Sequence, residues 1–180
     1  VNFNLHIHAD RAAISLDLTG VSMHKRGYRK AAVAAPLQET LAAAMVRLSG
    51  WDGGRKLLDP MCGSGTILAE ALMSFCRIPA AFLRRDSGYQ FLPDHHPELM
   101  KKVKNEADSE IRPLPEGLLK GSDMNARNIQ TAKENLALLP GGDKVELRTL
   151  RFQDLERERG RCVISNPPYG VRLEDRSRAE

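Results

Sequence analysis

The chain has 180 residues, of which 42% are hydrophobic and 28% charged, and its formal net charge is +4. This length suffices for one α/β domain with a buried core but not for two, and the composition excludes a disordered chain. No stretch of about 20 apolar residues could cross a membrane, and residues 1–10 lack the pattern of a signal peptide. The mild positive charge permits a nucleic-acid partner without requiring one.

The cysteines, Cys62, Cys76 and Cys162, are too few and too scattered for a disulfide framework, and no C-x-x-C pair indicates zinc. We therefore expect buried free thiols in a cytoplasmic protein. His6 and His8 share a strand face, but no third ligand follows nearby, and we expect no bound metal.

The N-terminal residues predict a β-hairpin. Apolar and polar residues alternate over Val1–His8 and again over Ala12–Leu18, with a short turn between them, which is typical of two half-buried strands. The basic segment Ser22–Lys30 follows and contains no acid. Gly27 marks it as a loop, which is either a solvated connector or a contact to a phosphate or to the edge of a cofactor.

A helix is predicted over Pro36–Leu48, because proline stands in its first turn and Ser49-Gly50 ends it. Apolar residues recur at helical spacing along one face. These residues are Leu37, Leu41, Ala44, Met45 and Leu48. We divide the chain into residues 1–55, which lead into the main domain, and residues 56–180, which form it.

From residue 56 onward, strands alternate with helices, a pattern that predicts a parallel sheet. The predicted order is strand Lys56–Leu58, helix Ile67–Phe75, strand Leu118–Gly121, helix Asn125–Leu138 capped by Asn125, strand Lys144–Leu150 and strand Cys162–Ser165. Residues 77–117 hold five of the ten prolines and a charged helix, Glu98–Ile111, and form an insertion. We expect its aromatic residues Phe82, Tyr89 and Phe91 to pack on the core, the alternative being contact with RNA.

The first chemical motif is the glycine loop Asp59–Thr66, which lies between a strand and a helix. Gly63 and Gly65 allow a ligand to approach the backbone closely, and the free amides at the start of the helix favour a carboxylate or phosphate. The loop is neither a Walker loop nor a full dinucleotide fingerprint. A plain strand-to-helix turn is the alternative.

Two acids follow the next two strands. Asp123 ends the second strand, where an acid accepts hydrogen bonds from the hydroxyls of a ribose. Alternatively, it is an acid favoured by the helix dipole. Asp154 follows the third strand and could accept a hydrogen bond from an adenine amino group, or could simply lie in a surface turn.

The most specific motif is Asn166-Pro167-Pro168-Tyr169, after the fourth strand. Two prolines remove backbone donors, so the loop presents carbonyl acceptors. Together with the Asn166 side chain, these acceptors suit an amino group and would free its lone pair. Tyr169 offers a flat face for an extruded base. No residue of the loop titrates near neutral pH, so a general-base site is not expected; a rigid turn without chemistry is the alternative.

The glycine loop Asp59–Thr66, taken with Asn166–Gly170, resembles the THUMP-associated RNA guanine-N2 methyltransferases. The resemblance is strongest to the first methyltransferase half of those that act on bacterial 23S rRNA. The segments Arg26–Arg29 and Ala35–Leu37 and the hairpin also resemble that family. The resemblance implies a Rossmann-like class I methyltransferase fold with strand order 3-2-1-4, the later strands missing. It also implies S-adenosylmethionine as cofactor, an RNA substrate and no metal.

The resemblance further implies roles for individual residues. Gly63 and Gly65 would lie under the cofactor, Asp59 and Thr66 near its amino-acid end, and Asn166 with the Pro167 carbonyl around the target amine. The implied cofactor-binding residues are Asp59, Met61, Gly63, Gly65, Thr66, Asp123, Met124, Asp154 and Asn166. The implied catalytic residues are Asn166, Pro167, Pro168 and Tyr169.

Several alternatives remain open from the sequence. The substrate could instead be guanine N2 of tRNA or adenine N6 of DNA, and the domain could bind a nucleotide without methyl transfer or act only as a scaffold. The THUMP domain and the strands after the fourth are not in this sequence. We therefore expect a natural protein that is longer at both ends, with residues 171–180 beginning a catalytic loop. The oligomeric state is not predicted.

Overall fold

A computed structural model describes residues 2–19, 22–30, 37–84 and 88–168. The strands are β1 (Asn2–His8), β2 (Arg11–Asp17), β3 (Leu57–Asp59), β4 (Leu119–Asp123), β5 (Glu146–Thr149) and β6 (Cys162–Val163). The α-helices are α1 (Glu39–Leu48), α2 (Thr66–Cys76), α3 (Pro97–Ser109) and α4 (Ala126–Leu136).

Strands β3 to β6 form one parallel sheet in the order β5-β4-β3-β6. When these four strands are numbered 1 to 4 along the chain, their order in the sheet is 3-2-1-4. The predicted topology is therefore confirmed. The prediction that Asn125 caps α4 is also confirmed, because its side chain accepts a hydrogen bond from the Arg127 amide.

The core forms around α2, in which nine of the eleven residues are buried. This helix packs against α1, β4 and α4. Its Leu68 and Leu72 are fully buried, as are Leu57 on β3 and Leu119 on β4. Each such side chain contributes about 1.5–3 kcal/mol of transfer free energy, and this core fixes the orientation of the strand ends. The three cysteines are buried and free, as expected.

Gly65 is the residue that lets α2 start abruptly after β3. It is the N-cap of α2, with φ +80°, a conformation that side-chain-bearing residues rarely adopt. A Cβ atom at this position would lie 3.1 Å from the Cβ of Ala132 on α4. Glycine therefore serves both the turn and the close packing of α4.

The predicted hairpin is confirmed, and its register places Phe3 opposite Leu16 and Leu5 opposite Ile14. The prediction that its strands are half-buried is wrong. The side chains of Phe3, Leu5, Ile7 and Ile14 are 62–75% exposed. Alternation reveals that a strand has one apolar face, but it does not reveal whether another element covers that face.

The predicted apolar face of α1 is only partly correct. Leu37 and Met45 are partly buried against the core, but Leu41, Ala44 and Leu48 are exposed. The buried side chains are Glu39, Ala42 and Val46. Small alanine side chains allow α1 to lie close to α2, so the larger leucines point outward. Pro36, the predicted first residue of this helix, lies outside the described residues.

The insertion contains the predicted charged helix, α3, which has no buried residue. Phe82 is partly buried against the core, as expected. Tyr89 and Phe91 lie in a 3-10 turn and are exposed, so the expectation that they pack on the core is wrong. No helix within the described ranges is long and apolar enough to cross a membrane.

We predict that Gly65→Ala destabilises the protein by roughly 2–3 kcal/mol, because it combines the cost of positive φ with the clash against α4. Gly50→Ala is the matched control. Gly50 also has positive φ, +68°, but a Cβ atom there would meet nothing within 4 Å. Gly50→Ala should lower the free energy of unfolding by only about 1 kcal/mol. Urea unfolding measures both, and equal losses would contradict the packing role of Gly65.

Candidate active site

The candidate site lies at the carboxyl end of the parallel sheet, where α/β proteins bind their ligands. Strand β3 ends at Asp59 and the neighbouring strand β4 ends at Asp123. Both carboxyl groups are buried, and the side chain of Asp59 is only 1% exposed. The predicted acids therefore lie at adjoining strand ends, and the structure shows in addition that both are buried.

Asp59 is held by donors from two segments. Its Oδ1 accepts hydrogen bonds from the Ser165 hydroxyl at 2.9 Å and from the Met61 amide at 3.2 Å. Burial raises the pKa of Asp59 to about 7; these two hydrogen bonds oppose the shift, and the neighbouring charge of Asp123 adds to it. Asp59 thus titrates near neutrality.

Asp123 joins the glycine loop to the start of α4. Its Oδ2 accepts from the Gly63 amide at 3.0 Å, and its Oδ1 accepts from the Asn125 amide at 2.9 Å and the Asn128 side chain at 3.1 Å. An ionised carboxylate has about four acceptor positions, so one remains beyond these three bonds. The ribose-binding role stays a prediction.

The glycine loop is fixed on both sides. The Cys62 amide donates to the Ser122 carbonyl at 2.9 Å, and the buried Asn135 side chain on α4 donates to the Ser64 carbonyl at 3.1 Å. Gly63 and Gly65 both have positive φ, +53° and +80°. The turn is therefore preformed, and its tight backbone requires glycine.

The Asn166-Pro167-Pro168 segment begins directly beside β3. The Ile164 amide donates to the Leu58 carbonyl, which continues the strand pairing to the residue before Ser165. Asn166 is partly buried, whereas Pro167 and Pro168 are exposed. Tyr169, to which we assigned base stacking, and Gly170 lie outside the described residues, as does the expected catalytic loop at 171–180.

Asp154 lies in an exposed 3-10 turn, Phe152–Asp154, five residues beyond the end of β5. It therefore does not close the strand itself, and its adenine-binding role stays a prediction. Phe152, in the same turn, is 54% exposed, and Met124, directly after β4, is 55% exposed. Exposed apolar side chains thus follow β4 and β5, at the end of the sheet where the two acids lie.

The basic segment is not the solvated connector that one interpretation predicted. Tyr28 is buried and its hydroxyl donates to Glu70 Oε1 at 2.9 Å, while Arg26 Nε lies 3.4 Å from the same oxygen. Burial raises the pKa of Tyr28 above its ordinary value, which keeps the phenol protonated. Arg29 instead reaches the first residue of α2, donating to the Thr66 hydroxyl at 3.0 Å.

Sequence reasoning missed three residues around this site: Ser165, Asn128 and Phe152. For Arg29 it offered a contact at the edge of a cofactor as one alternative for the whole basic segment, without identifying Thr66 as the partner. Ser165 directly precedes Asn166, and Phe152 lies two residues before Asp154. Asn128 follows Asp123 by about one helical turn, so local spacing could have indicated all three residues. Arg29 contacts Thr66 across 37 residues of chain, and no sequence spacing signals that contact.

A glycine loop after the central strand and an acid ending its neighbour, in a sheet of this order, define a Rossmann-like class I methyltransferase domain. The RMKL-like methyltransferase domain family matches residues 26–180. The chain belongs to this family, and the predicted class, a methyltransferase domain, is thereby confirmed.

The chain is 40% identical to the ribosomal RNA large subunit methyltransferase K/L of Vibrio cholerae, over 96% of this chain and 25% of that protein. It is 36% identical to the K/L protein of Vibrio campbellii, with the same coverage. The predicted resemblance to methyltransferases of ribosomal RNA is confirmed. The chain spans about a quarter of the length of these relatives.

Two solved structures are similar across 98% of the chain, each at 35% identity. SMU.472, complexed with SAH (S-adenosylhomocysteine), has a TM-score of 0.86 with 46% of its chain covered. A predicted N6-adenine-specific DNA methylase from Listeria monocytogenes has a TM-score of 0.87 with 47% covered. The fold therefore matches that of the covered part of these larger proteins.

We predict that Asp59 makes stability fall as the pH rises. Its pKa is raised from 3.8 to about 7 in the folded state, so the folded protein keeps a proton that the unfolded chain loses in this window. The free energy of unfolding contributed by Asp59 should fall between about pH 4 and pH 7 and level off above. Asp59→Asn should remove this pH-dependent part of the free energy of unfolding.

Urea unfolding of the wild type and of Asp59→Asn at several pH values measures the difference. Asp143→Asn, which changes an exposed carboxyl group, is the control. Parallel pH profiles for the wild type and Asp59→Asn would contradict the assignment.

Proposed function

We propose that this protein transfers a methyl group from S-adenosylmethionine to the exocyclic N2 amine of a guanine in 23S rRNA. The observation that carries the proposal is the Ser165–Asp59 hydrogen bond at 2.9 Å. It joins the end of the central strand to the residue before Asn166, so the amine-binding motif begins next to the buried acid of the glycine loop.

The residues at the strand ends fit the cofactor. Its amino-acid end carries an ammonium group, and Asp59, buried beside the loop, would accept a hydrogen bond from it. Asp123 would use its remaining acceptor position for a ribose hydroxyl. Gly63 and Gly65 keep the loop free of side chains on the path of the cofactor.

The adenine end would lie between the two exposed apolar side chains. Met124 follows Asp123 directly, and Phe152 follows the next strand of the sheet. A purine between a thioether and a phenyl ring would bury apolar surface that is otherwise exposed to water. Asp154, two residues after Phe152, would accept a hydrogen bond from the adenine amino group.

Asn166 and the Pro167 carbonyl would hold the target amine. The amine of guanine is a poor nucleophile, because its lone pair is delocalised into the ring. Two acceptors that take both of its hydrogens favour the tetrahedral nitrogen and stabilise the positive charge that develops there. S-adenosylmethionine, when bound, supplies an electrophilic methyl group on a sulfonium. Tyr169 would stack on the base.

The names of the two Vibrio relatives support an RNA substrate, since both are called ribosomal RNA large subunit methyltransferases. The name of the Listeria structure favours a second candidate, adenine N6 of DNA. Both candidates use the same amine-holding motif and differ only in the base presented to it. The nucleoside that is methylated distinguishes them.

We predict that Asn166→Ala lowers kcat for methyl transfer by about 100-fold or more, because one of the two acceptors for the amine is lost. The affinity for S-adenosylmethionine should change far less. The assay uses the full-length protein, labelled S-adenosylmethionine and unmodified 23S rRNA, tRNA and DNA, followed by nucleoside analysis. Asn105→Ala, on the exposed helix α3, is the matched control.

N2-methylguanosine in 23S rRNA that is lost on Asn166→Ala is the expected result. Methylated adenine in DNA would contradict the proposed substrate but agree with the proposed mechanism. Undiminished transfer by Asn166→Ala would overturn the mechanism.

A second prediction concerns the adenine end of the site. Phe152→Ala should weaken S-adenosylmethionine binding by roughly 10-fold, since an apolar contact of about 1–1.5 kcal/mol is lost. Phe91→Ala removes another exposed phenyl ring, in the insertion, and should leave the affinity unchanged. Calorimetric titration measures both, and equal effects would contradict the placement of Phe152 on the adenine.

A further inference from the structure

The backbone pairing between β3 and β6 ends just before the Asn166-Pro167-Pro168 segment. Its last described hydrogen bond runs from the Ile164 amide to the Leu58 carbonyl at 3.1 Å. A further bond donated from the β3 side would need an N–H at Pro60, which has none. Pro167 and Pro168 have no N–H either, and the Asn166 amide makes no backbone hydrogen bond within the described residues. The strand ladder therefore does not hold the segment that is proposed to bind the target amine.

A side-chain hydrogen bond holds the chain at this point instead. The Ser165 hydroxyl donates to Asp59 Oδ1 at 2.9 Å, and the Met61 amide donates to the same oxygen at 3.2 Å. Asp59 ends the central strand and is only 1% exposed, so it is a fixed acceptor. Among the described contacts, the Ser165–Asp59 bond is the one that fixes the residue next to Asn166.

We propose that Ser165 is a positioning residue for methyl transfer, whose hydroxyl anchors Asn166 to the central strand in the orientation that accepts the target amine. This inference rests on the proposed function, in which Asn166 binds that amine. Ser165 acts through Asn166 and does not itself hold the base. Because a small misplacement of a group that holds a reactant lowers the rate by as much as about 100-fold, the anchor matters more for turnover than for binding.

The same carboxylate connects this anchor to the cofactor. Both described hydrogen bonds to Asp59 are accepted by Oδ1, which leaves Oδ2 for the cofactor ammonium assigned to Asp59. A neighbouring positive charge favours the ionised form of a carboxyl group, and the ionised form is the stronger acceptor for the Ser165 hydroxyl. Bound cofactor therefore strengthens the anchor of Asn166.

The titration of Asp59 reports this contact without any substrate. Burial raises the pKa of Asp59, and the Ser165 hydrogen bond opposes that rise. Asp123 faces Asp59 from β4 and adds to the rise, whereas the Cys62 thiol of the glycine loop stays neutral, because burial raises its pKa. In Ser165→Ala, Asp59 loses the hydrogen bond but keeps these neighbours, so its pKa should rise further. The window in which Asp59 makes stability fall should then extend to higher pH than in the wild type.

The first experiment compares the full-length protein with its Ser165→Ala and Ser165→Thr variants. Ser109→Ala is the matched control, since it removes a serine hydroxyl from the exposed helix α3. Methyl transfer to the accepted nucleic acid is measured with saturating labelled S-adenosylmethionine, well above the pH at which Asp59 titrates. In Ser165→Ala, kcat should fall about 10- to 100-fold, while KM for the nucleic acid changes less than about 3-fold. Ser165→Thr keeps the hydroxyl and should retain most of the activity, and Ser109→Ala all of it.

The second experiment is urea unfolding of the wild type, Ser165→Ala and Ser109→Ala over a series of pH values. The window in which stability falls should shift upward in Ser165→Ala and stay in place in Ser109→Ala. A purely structural contribution of Ser165 would lower stability equally at every pH and leave the window in place, and that result would overturn the inference.

The outcomes separate this inference from the proposed function. An active wild type whose kcat is unchanged in Ser165→Ala, or falls equally in Ser165→Thr, would overturn the inference alone. A wild type that binds S-adenosylmethionine but methylates none of 23S rRNA, tRNA and DNA would overturn the proposed function. Thermal unfolding identifies a variant that has lost its fold. In that case Ser165→Cys, which has nearly the same size but is a weak donor, replaces Ser165→Ala in both experiments.

Discussion

The buried carboxyl group of Asp59 is the constraint on which the site depends. It ends β3, which is paired on one side with β4 and on the other with β6, so three strand ends meet around one acid. Taking a carboxyl group out of water is unfavourable unless it is hydrogen-bonded or protonated. The Ser165 hydroxyl and the Met61 amide meet this requirement, and each leads directly into a segment with a proposed function.

The remaining polar contacts hold the glycine loop between the N-terminal segment and α4. Asp123 ties the Gly63 amide to α4, Asn135 ties the Ser64 carbonyl to the same helix, and Arg29 reaches Thr66 from the opposite side. Such preorganisation allows a site to bind its ligand without reordering its own backbone. The contact from Arg29 shows that residues before the sheet help to fix the start of α2.

The exposed surfaces differ in character. The hairpin and α3 present apolar or charged faces that contact little of the domain, whereas Met124 and Phe152 are exposed only at the strand ends where a ligand is proposed to lie. Exposed apolar side chains scattered over a surface need no explanation. Met124 and Phe152 are informative because they follow neighbouring strands at the end of the sheet where the buried acids lie.

The sequence by itself determined the alternation of strands and helices, the glycine loop and the two acids that end β3 and β4, and its resemblance to a known family implied the strand order. These features depend on residues that are close along the chain and on a topology that permits few arrangements. Only the tertiary structure decided that the hairpin is exposed, that α1 packs through Ala42 and Val46, and that Ser165 and Arg29 reach the loop. The last two contacts join residues separated by 106 and 37 positions. Periodicity reports which face of an element is apolar, but the partner of a side chain is fixed only when distant segments pack together.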